Sequence, residues 1–162
     1  VGLFQLCKRN RFPFSQYFPK LRNWFPEIAS FGRGFGPNFL QVGGTKAGVQ
    51  ICYEGLFPDF SRALAEQGAE IILNITNDSW YGKWQQPYQH LYMTLARAVE
   101  VRRPLVRSTN TGISTVILAN GEILEQSPLH QEWFYLYPVP YVKNPGPTIF
   151  MSWGFWILPA IP

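Results

Sequence analysis

Two periods of apolar and polar positions run through this chain, and together they divide it into strands and helices. Ala47-Gly48-Val49-Gln50-Ile51 is an apolar run of strand length. The following Cys52-Tyr53-Glu54-Gly55-Leu56-Phe57-Pro58 predicts a tight turn and a helix start. Phe60, Ala63 and Leu64 recur at helical spacing, and Gly68 marks that helix's end. Residues 70–75 predict a second buried strand and 76–87 a polar, aromatic loop. Residues 88–103 predict a second helix with Leu91, Leu95, Ala98 and Val99 on one face, closed by Pro104. Residues 105–108 and 114–118 are further strand candidates, and Asn120-Gly121 is a type I′ hairpin pair leading into 122–124. Residues 134–139 predict a last strand. The Pro-, Gly- and aromatic-rich stretch 1–44 predicts an irregular opening of the kind used as a functional loop or lid. Strand, helix, strand, helix and a hairpin-rich end predict an α/β fold, a mixed sheet with helices packed on it.

Composition narrows the picture. A chain of 162 residues, 46% hydrophobic and 17% aromatic, has the material for one domain with a real core and is not a disordered sequence. The net charge of +4 is spread over scattered lysines and arginines with no block of like charges, which argues against a nucleic-acid surface. Cys7 and Cys52 are far apart, and His90 and His130 form no pair of zinc-ligand spacing. Neither a disulfide framework nor a metal site is indicated. A start at Val1 and a stop inside an apolar run at Pro162 predict a piece of a longer chain.

Cys52 is the residue with the most chemistry in its setting. A free cysteine usually behaves as a small buried hydrophobe. One at the end of a strand, ahead of a tight turn, can also project its thiol among backbone N–H groups, the arrangement a nucleophile needs. Position alone leaves both readings open.

Several segments resemble a known family. Gly48-Val49-Gln50-Ile51-Cys52-Tyr53-Glu54, Asn77-Asp78-Ser79-Trp80-Tyr81-Gly82, Arg97-Ala98-Val99-Glu100 and Asn110-Thr111-Gly112 stand in the order and spacing of the nitrilase, or carbon–nitrogen hydrolase, superfamily. Within it the chain most resembles the bacterial apolipoprotein N-acyltransferases. That closer likeness rests on Pro87-Tyr88-Gln89-His90-Leu91, Arg103-Pro104-Leu105-Val106-Arg107 and Pro138-Val139-Pro140-Tyr141, and on Lys8 with Pro13-Phe14 and Tyr17-Phe18-Pro19 near the start. The resemblance covers essentially the whole chain.

It implies a nitrilase-like four-layer α-β-β-α sandwich, here partial and lacking its N-terminal part, and a Glu-Lys-Cys triad. Cys52 matches the nucleophile and Lys8 the lysine. The triad glutamate belongs to a segment upstream of Lys8 and has no counterpart among these residues, so the 162 residues alone are expected to be inactive. The thiol must lose its proton to attack, and a Lys8 ammonium near the sulfur would stabilise first the thiolate and then the oxyanion. The Tyr53 N–H is a second oxyanion donor. A solvated surface lysine is the other reading of Lys8, beside Arg9 and Arg11.

The same resemblance makes Tyr53, Glu54, Gln16, Asn77, Trp80 and Tyr81 candidates for binding substrate or shaping the site. Glu54 either orients Lys8 or the attacking amine, or caps the helix near Pro58. Gln16 and Ser15 stand where relatives commonly carry glutamate and glycine, and an amide cannot serve as a base. Trp80 and Tyr81 either wall an acyl groove or simply pack, and Asn77 and Asp78 either tie the loop to the site or are ordinary turn residues. His90 reads as structural, and Arg97 with Glu100 as a helix-surface ion pair.

Three functions remain. In the first, the Cys52 thiolate takes an acyl chain from a phospholipid as a thioester and passes it to the N-terminal amine of a lipid-modified cysteine in an apolipoprotein. That reading implies a catalytic domain facing the periplasm on the bacterial inner membrane, with no metal or organic cofactor. In the second, a soluble amidase or nitrilase resolves the thioester with water. The third is a non-catalytic relative. The C-terminus separates them, because residues 148–162 are nearly uncharged and hold Trp153 and Trp156, which suit a membrane interface. A transmembrane helix needs about 20 apolar residues. The segment is therefore read as the start of a span after a hydrolase-like domain at 1–147, or else as a tail packed on the domain. Phe12, Phe14, Phe18, Trp24, Phe25, Phe31 and Phe35 suit lids that dip into lipid, a dimer interface or a core.

Overall fold

A computed structural model gives the protein's structure for residues 36–82 and 84–157, with side chains as far as residue 154. Lys8, Gln16 and the opening aromatics lie outside the described residues. The chain forms β1 (Phe39–Val42), β2 (Thr45–Ile51), α1 (Pro58–Glu66), β3 (Ile71–Thr76), α2 (Gln86–Val101), β4 (Leu105–Thr109), β5 (Thr115–Ile117) and α3 (Ile149–Ile157). Two 3₁₀ turns, Cys52–Leu56 and Ser79–Tyr81, follow β2 and β3.

The strands make one mixed sheet in the order β1-β2-β3-β4-β5. β2, β3 and β4 are parallel neighbours, with Ile51 beside Ile75 and Asn74 beside Arg107. β1 and β5 are antiparallel edges. Two successive strand–helix–strand crossovers carry both helices to the same face, where they pack against the sheet and each other. One helix layer on one sheet is thus what the described residues supply of the α/β sandwich. Between the layers lies the core of Ala65, Ile72, Leu91, Ala98, Val101, Leu105, Ile113 and Ile117. Gly48 lets the helix layer approach, since a Cβ there would meet Leu64 and Ala69 at 3.1–3.2 Å.

The periodic segments form where their spacing predicts, with differences at their ends. The second helix starts at Gln86, with Pro87 in its first turn. It ends before Pro104 because Arg102 turns left-handed at φ 52° and the Arg103 N–H returns to the Ala98 carbonyl. The stretch expected to be irregular as far as residue 44 contains β1. Gly43 and Gly44, at φ 55° and 79°, make the two-residue turn with both central φ positive that folds β1 onto β2.

The Asn120-Gly121 turn is of a different type from the expected I′. Only Gly121 has positive φ, and Gly121 N–H bonds to Leu118 O while Leu118 N–H bonds to Glu122 O, a three-residue loop with a bulge. The strand expected at 134–139 does not form, since no neighbouring strand among the described residues supplies a ladder. Its alternation instead stacks Trp133, Tyr135 and Tyr137 on one another.

The C-terminal segment is strapped across the amino ends of the parallel strands. Glu70 accepts bonds from the Lys46 and Asn144 N–H groups, both at 3.1 Å, and from Lys143 Nζ at 3.4 Å. Arg103, 1% exposed, donates to the carbonyls of Ala69, Val101, Pro145 and Gly146. Thr148 then caps α3 by accepting the Met151 N–H at 3.1 Å, while its hydroxyl donates to Glu100 O at 2.6 Å. No helix of the described residues is long and apolar enough to cross a membrane.

Candidate active site

Cys52 stands where β2 passes into its 3₁₀ turn, at the carboxyl end of the parallel strands. Its φ of 53° is left-handed. For a residue with a Cβ that conformation costs about 1–2 kcal/mol, so it persists only where the surroundings fix it. Such a turn is also how a strand-to-helix junction presents a nucleophile. Cys52 is partly exposed and forms no disulfide among the described residues.

Four contacts hold the turn. Glu54 Oε2 accepts the Ile51 N–H at 2.8 Å. Asn74 Nδ2 donates to the Cys52 carbonyl at 3.4 Å. Arg97 Nη1 donates to the Leu56 carbonyl at 3.0 Å. Gly55 lets the turn close on its neighbours, since a Cβ there would meet Asn74 Nδ2 at 2.9 Å and Thr94 Cγ2 at 3.0 Å. Glu54 therefore binds backbone one residue ahead of the thiol, and Phe57, not Glu54, occupies the N-cap of α1. Arg97 does pair with Glu100, at 2.6 Å, but it is 8% exposed and serves the turn as well, so it is more than a surface pair.

Beneath the turn is a buried polar cluster. Arg107 Nη1 donates to Asn74 Oδ1 at 2.7 Å, and Arg107 Nη2 to Asp78 Oδ2 at 2.9 Å. His90 Nδ1 lies 2.9 Å from Asp78 Oδ1 and 3.0 Å from Arg107 Nη2. Between a carboxylate and a guanidinium, a protonated Nδ1 donating to Asp78 is the favourable tautomer. Thr76 donates to Asp78 Oδ1, and the Asp78 N–H is accepted by Asn110 Oδ1. Burial works to raise the Asp78 carboxyl, but the His90 bond and the Arg107 charge hold it below its ordinary value. Burial pulls the Arg107 guanidinium down, opposed by Asp78 and also by Cys52 and Tyr81.

The Tyr53 ring stacks on the His90 imidazole at 5.6 Å, and the Tyr81 ring meets it edge-on at 5.8 Å. The two phenol hydroxyls touch. Burial and the Tyr53 hydroxyl push the Tyr81 phenol up, and the charges of Cys52 and Asp78 add to this. Cys52, Tyr53, Glu54 and Tyr81 are thus gathered at one end of the sheet. Asn77 is exposed and closes its own loop by accepting the Ser79 N–H at 3.0 Å. Trp80 is 83% exposed.

Asn74, Asp78, His90 and Arg107 have no catalytic role in the sequence reading, because polar residues inside apolar runs carry no sign of which distant partner they meet. Asp78, His90 and Arg107 fall within segments quoted for the resemblance, and Asp78 is also a candidate there for tying its loop to the site, whereas Asn74 lies outside those segments. Among the described residues no three His, Cys, Asp or Glu side chains group as a metal site.

A left-handed cysteine at a strand-to-helix turn over a buried polar cluster is the candidate thiol site of this α/β sheet. Residues 4–135 match the model of the carbon–nitrogen hydrolase family, and the chain belongs to that family. It is 56% identical over 148 residues to the apolipoprotein N-acyltransferase of Bdellovibrio bacteriovorus, covering 89% of this chain and 27% of that protein. To the corresponding protein of Geobacter metallireducens it is 42% identical over 120 residues, 74% of this chain and 23% of that one. The chain thus spans about a quarter of the length of these curated relatives. Among solved structures, it is similar to a mutant amidase from Nesterenkonia sp. AN1 showing Michael addition of acrylamide at the active-site cysteine. The TM-score is 0.50 and the identity 28%, over 63% of this chain and 42% of that one.

Proposed function

We propose that the chain is part of an apolipoprotein N-acyltransferase in which Cys52 carries the acyl group. The observation that supports this most is the 56% identity to such an acyltransferase over 89% of the chain, against 28% to an amidase. In this reading the Cys52 thiolate attacks the ester carbonyl of a phospholipid. A C–S bond forms and the carbonyl electrons move to oxygen. Collapse of that oxyanion breaks the ester C–O bond, and the lysophospholipid leaves with the proton taken from the thiol. The α-amine of a lipid-modified cysteine then attacks the thioester: the C–N bond forms, the C–S bond breaks to return the thiolate, and the amine's proton passes to the base that had relayed the thiol's proton.

The base is a triad glutamate without a counterpart among the 162 residues, so the reaction belongs to the longer protein and not to this segment alone. Lys8 stabilises the thiolate and the oxyanion. Tyr53, Tyr81 and Trp80 line the approach with Asn77, Glu54 shapes the turn, and Gln16 is a further site-shaping candidate on the family resemblance alone. Residues 1–147 belong to the hydrolase-like domain, and 148–162 open a membrane-spanning helix that holds the domain at the periplasmic face of the inner membrane. A soluble amidase using the same thiol is the second reading, favoured by the active-site cysteine of the solved amidase.

Full-length protein incubated with phospholipid vesicles should gain a hydroxylamine-labile acyl mass on Cys52 and transfer it to a diacylated lipopeptide, and Cys52→Ser should do neither. An acyl mass on another residue, or turnover of a small amide with no lipid required, would sink the acyltransferase reading.

A further inference from the structure

Among the described residues, the Cys52–Tyr53 peptide is gripped by only one of its edges. Its carbonyl accepts Asn74 Nδ2, and Asn74 itself is 0% exposed. The amide cannot turn over without losing a bond, because Arg107 Nη1 holds its oxygen at 2.7 Å. Arg107 in turn is fixed by Asp78, whose carboxylate is held by Thr76 and His90 and whose backbone N–H is accepted by the Asn110 side chain.

A peptide unit is planar, and in the trans form its C=O and N–H point in opposite directions. No cis peptide bond occurs among the described residues. Fixing the Cys52 oxygen therefore fixes the direction of the Tyr53 N–H. That N–H opens a helical turn, where the first N–H groups have no partner within the turn. It belongs to the residue next to the thiol, so its direction decides whether it can meet charge developing on a group bonded to Cys52.

We propose that Asn74 is a positioning residue of the oxyanion hole: by holding the Cys52 carbonyl from behind, it aims the Tyr53 N–H at the oxyanion of the tetrahedral adduct on Cys52. Arg107 and Asp78 act through Asn74, as the anchor that keeps its amide in one orientation. The left-handed backbone of Cys52 makes such an anchor necessary, since an unsupported turn would relax toward negative φ and swing the N–H away. The inference rests on the reading of Cys52 as an acyl-carrying nucleophile.

The test uses the full-length enzyme and a p-nitrophenyl ester, whose burst of nitrophenolate counts acylated Cys52. Asn74→Asp keeps the size of the side chain and an oxygen for Arg107, but it puts an acceptor where the donor to Cys52 O had been. The acylation rate constant should fall about 100-fold, the scale of a lost oxyanion-hole donor, with KM within about twofold, as for an interaction made in the transition state alone. A second measurement uses the wild-type enzyme. In a crystal structure of its hemithioacetal with an aldehyde, the adduct oxygen should lie within hydrogen-bond reach of Tyr53 N while Asn74 Nδ2 still holds Cys52 O.

An unchanged rate per folded Asn74→Asp molecule overturns the proposal, as does an adduct oxygen turned away from Tyr53 N. If Asn74→Asp does not fold, the wild-type adduct decides. Failure of wild-type protein to acylate Cys52 at all would instead refute the underlying reading of the thiol.

Discussion

At Gly112 the size of the side chain is set by Asp78. A Cβ there would lie 2.8 Å from both Asp78 Cβ and Cγ and closer still to Oδ2. Because Asp78 is held from every side, it cannot step back. Gly112→Ala should therefore destabilise the fold by about 1–3 kcal/mol, the usual cost of overpacking, read as a lower urea midpoint at unchanged slope. Asp78 itself gives a pH-dependent prediction. Its folded carboxyl titrates below the ordinary value, so its contribution is complete above the unfolded range near about pH 4 and is lost as pH falls through the depressed folded value. Asp78→Asn strands the buried Arg107 charge and should cost about 3–5 kcal/mol at neutral pH. On acidification below pH ~4 the gap between wild type and variant should narrow in equilibrium unfolding, and a constant gap would contradict the assignment. Much of this residue-scale detail was illegible in the sequence. Asp78 stood next to Asn77 in what read as a turn, and nothing local showed that one would be exposed and the other enclosed by Arg107 and His90.

Among elements, the strap across the amino ends of the sheet depends on Arg103, whose charge is met by backbone carbonyls of Ala69, Val101, Pro145 and Gly146. Burial pulls this guanidinium below its ordinary value. Arg103→Met keeps much of the apolar stem and leaves those carbonyls without their donor, a loss of about 3 kcal/mol on the scale of charged hydrogen bonds. Hydrogen exchange should speed up at residues 143–151 well before it does in β3. Uniform exchange across the sheet would mean that the segment is held by something else. The helices and central strands were readable here because amphipathic spacing and Gly or Pro stops are local signals. The strand expected at 134–139 failed for the opposite reason: alternation prepares a strand, but only a neighbouring strand makes one.

At the scale of the described residues together, the Cys52 turn and the strap that leads to α3 sit at opposite ends of the parallel strands. Cys52, Tyr53, Asp78 and Arg107 gather beyond or near the carboxyl ends, while Glu70, Lys143 and Arg103 hold the segment leading to α3 at the amino ends. The seven residues of β2 that separate them extend roughly 23 Å at about 3.3 Å each. Glu70→Gln, which weakens the Lys143 and Asn144 contacts, should lower the melting temperature of the full-length enzyme yet leave Cys52 acylation by a p-nitrophenyl ester unchanged. A matching fall in the acylation rate constant would show that the two ends are coupled.

By itself the sequence determined the order of strands and helices around Cys52, the turn that follows it and the family likeness, because each of these is carried by neighbours in the chain: periodicity, a glycine, a proline, a short motif. Tertiary structure alone decided that Gly43-Gly44 folds an edge strand onto β2, that Arg97 serves the Cys52 turn, and that Asn74, 22 residues beyond Cys52, grips its carbonyl. Those pairings join segments whose meeting is fixed by the stacking of parallel strands, and a polar side chain has the same appearance in sequence whether water or a buried guanidinium is its partner.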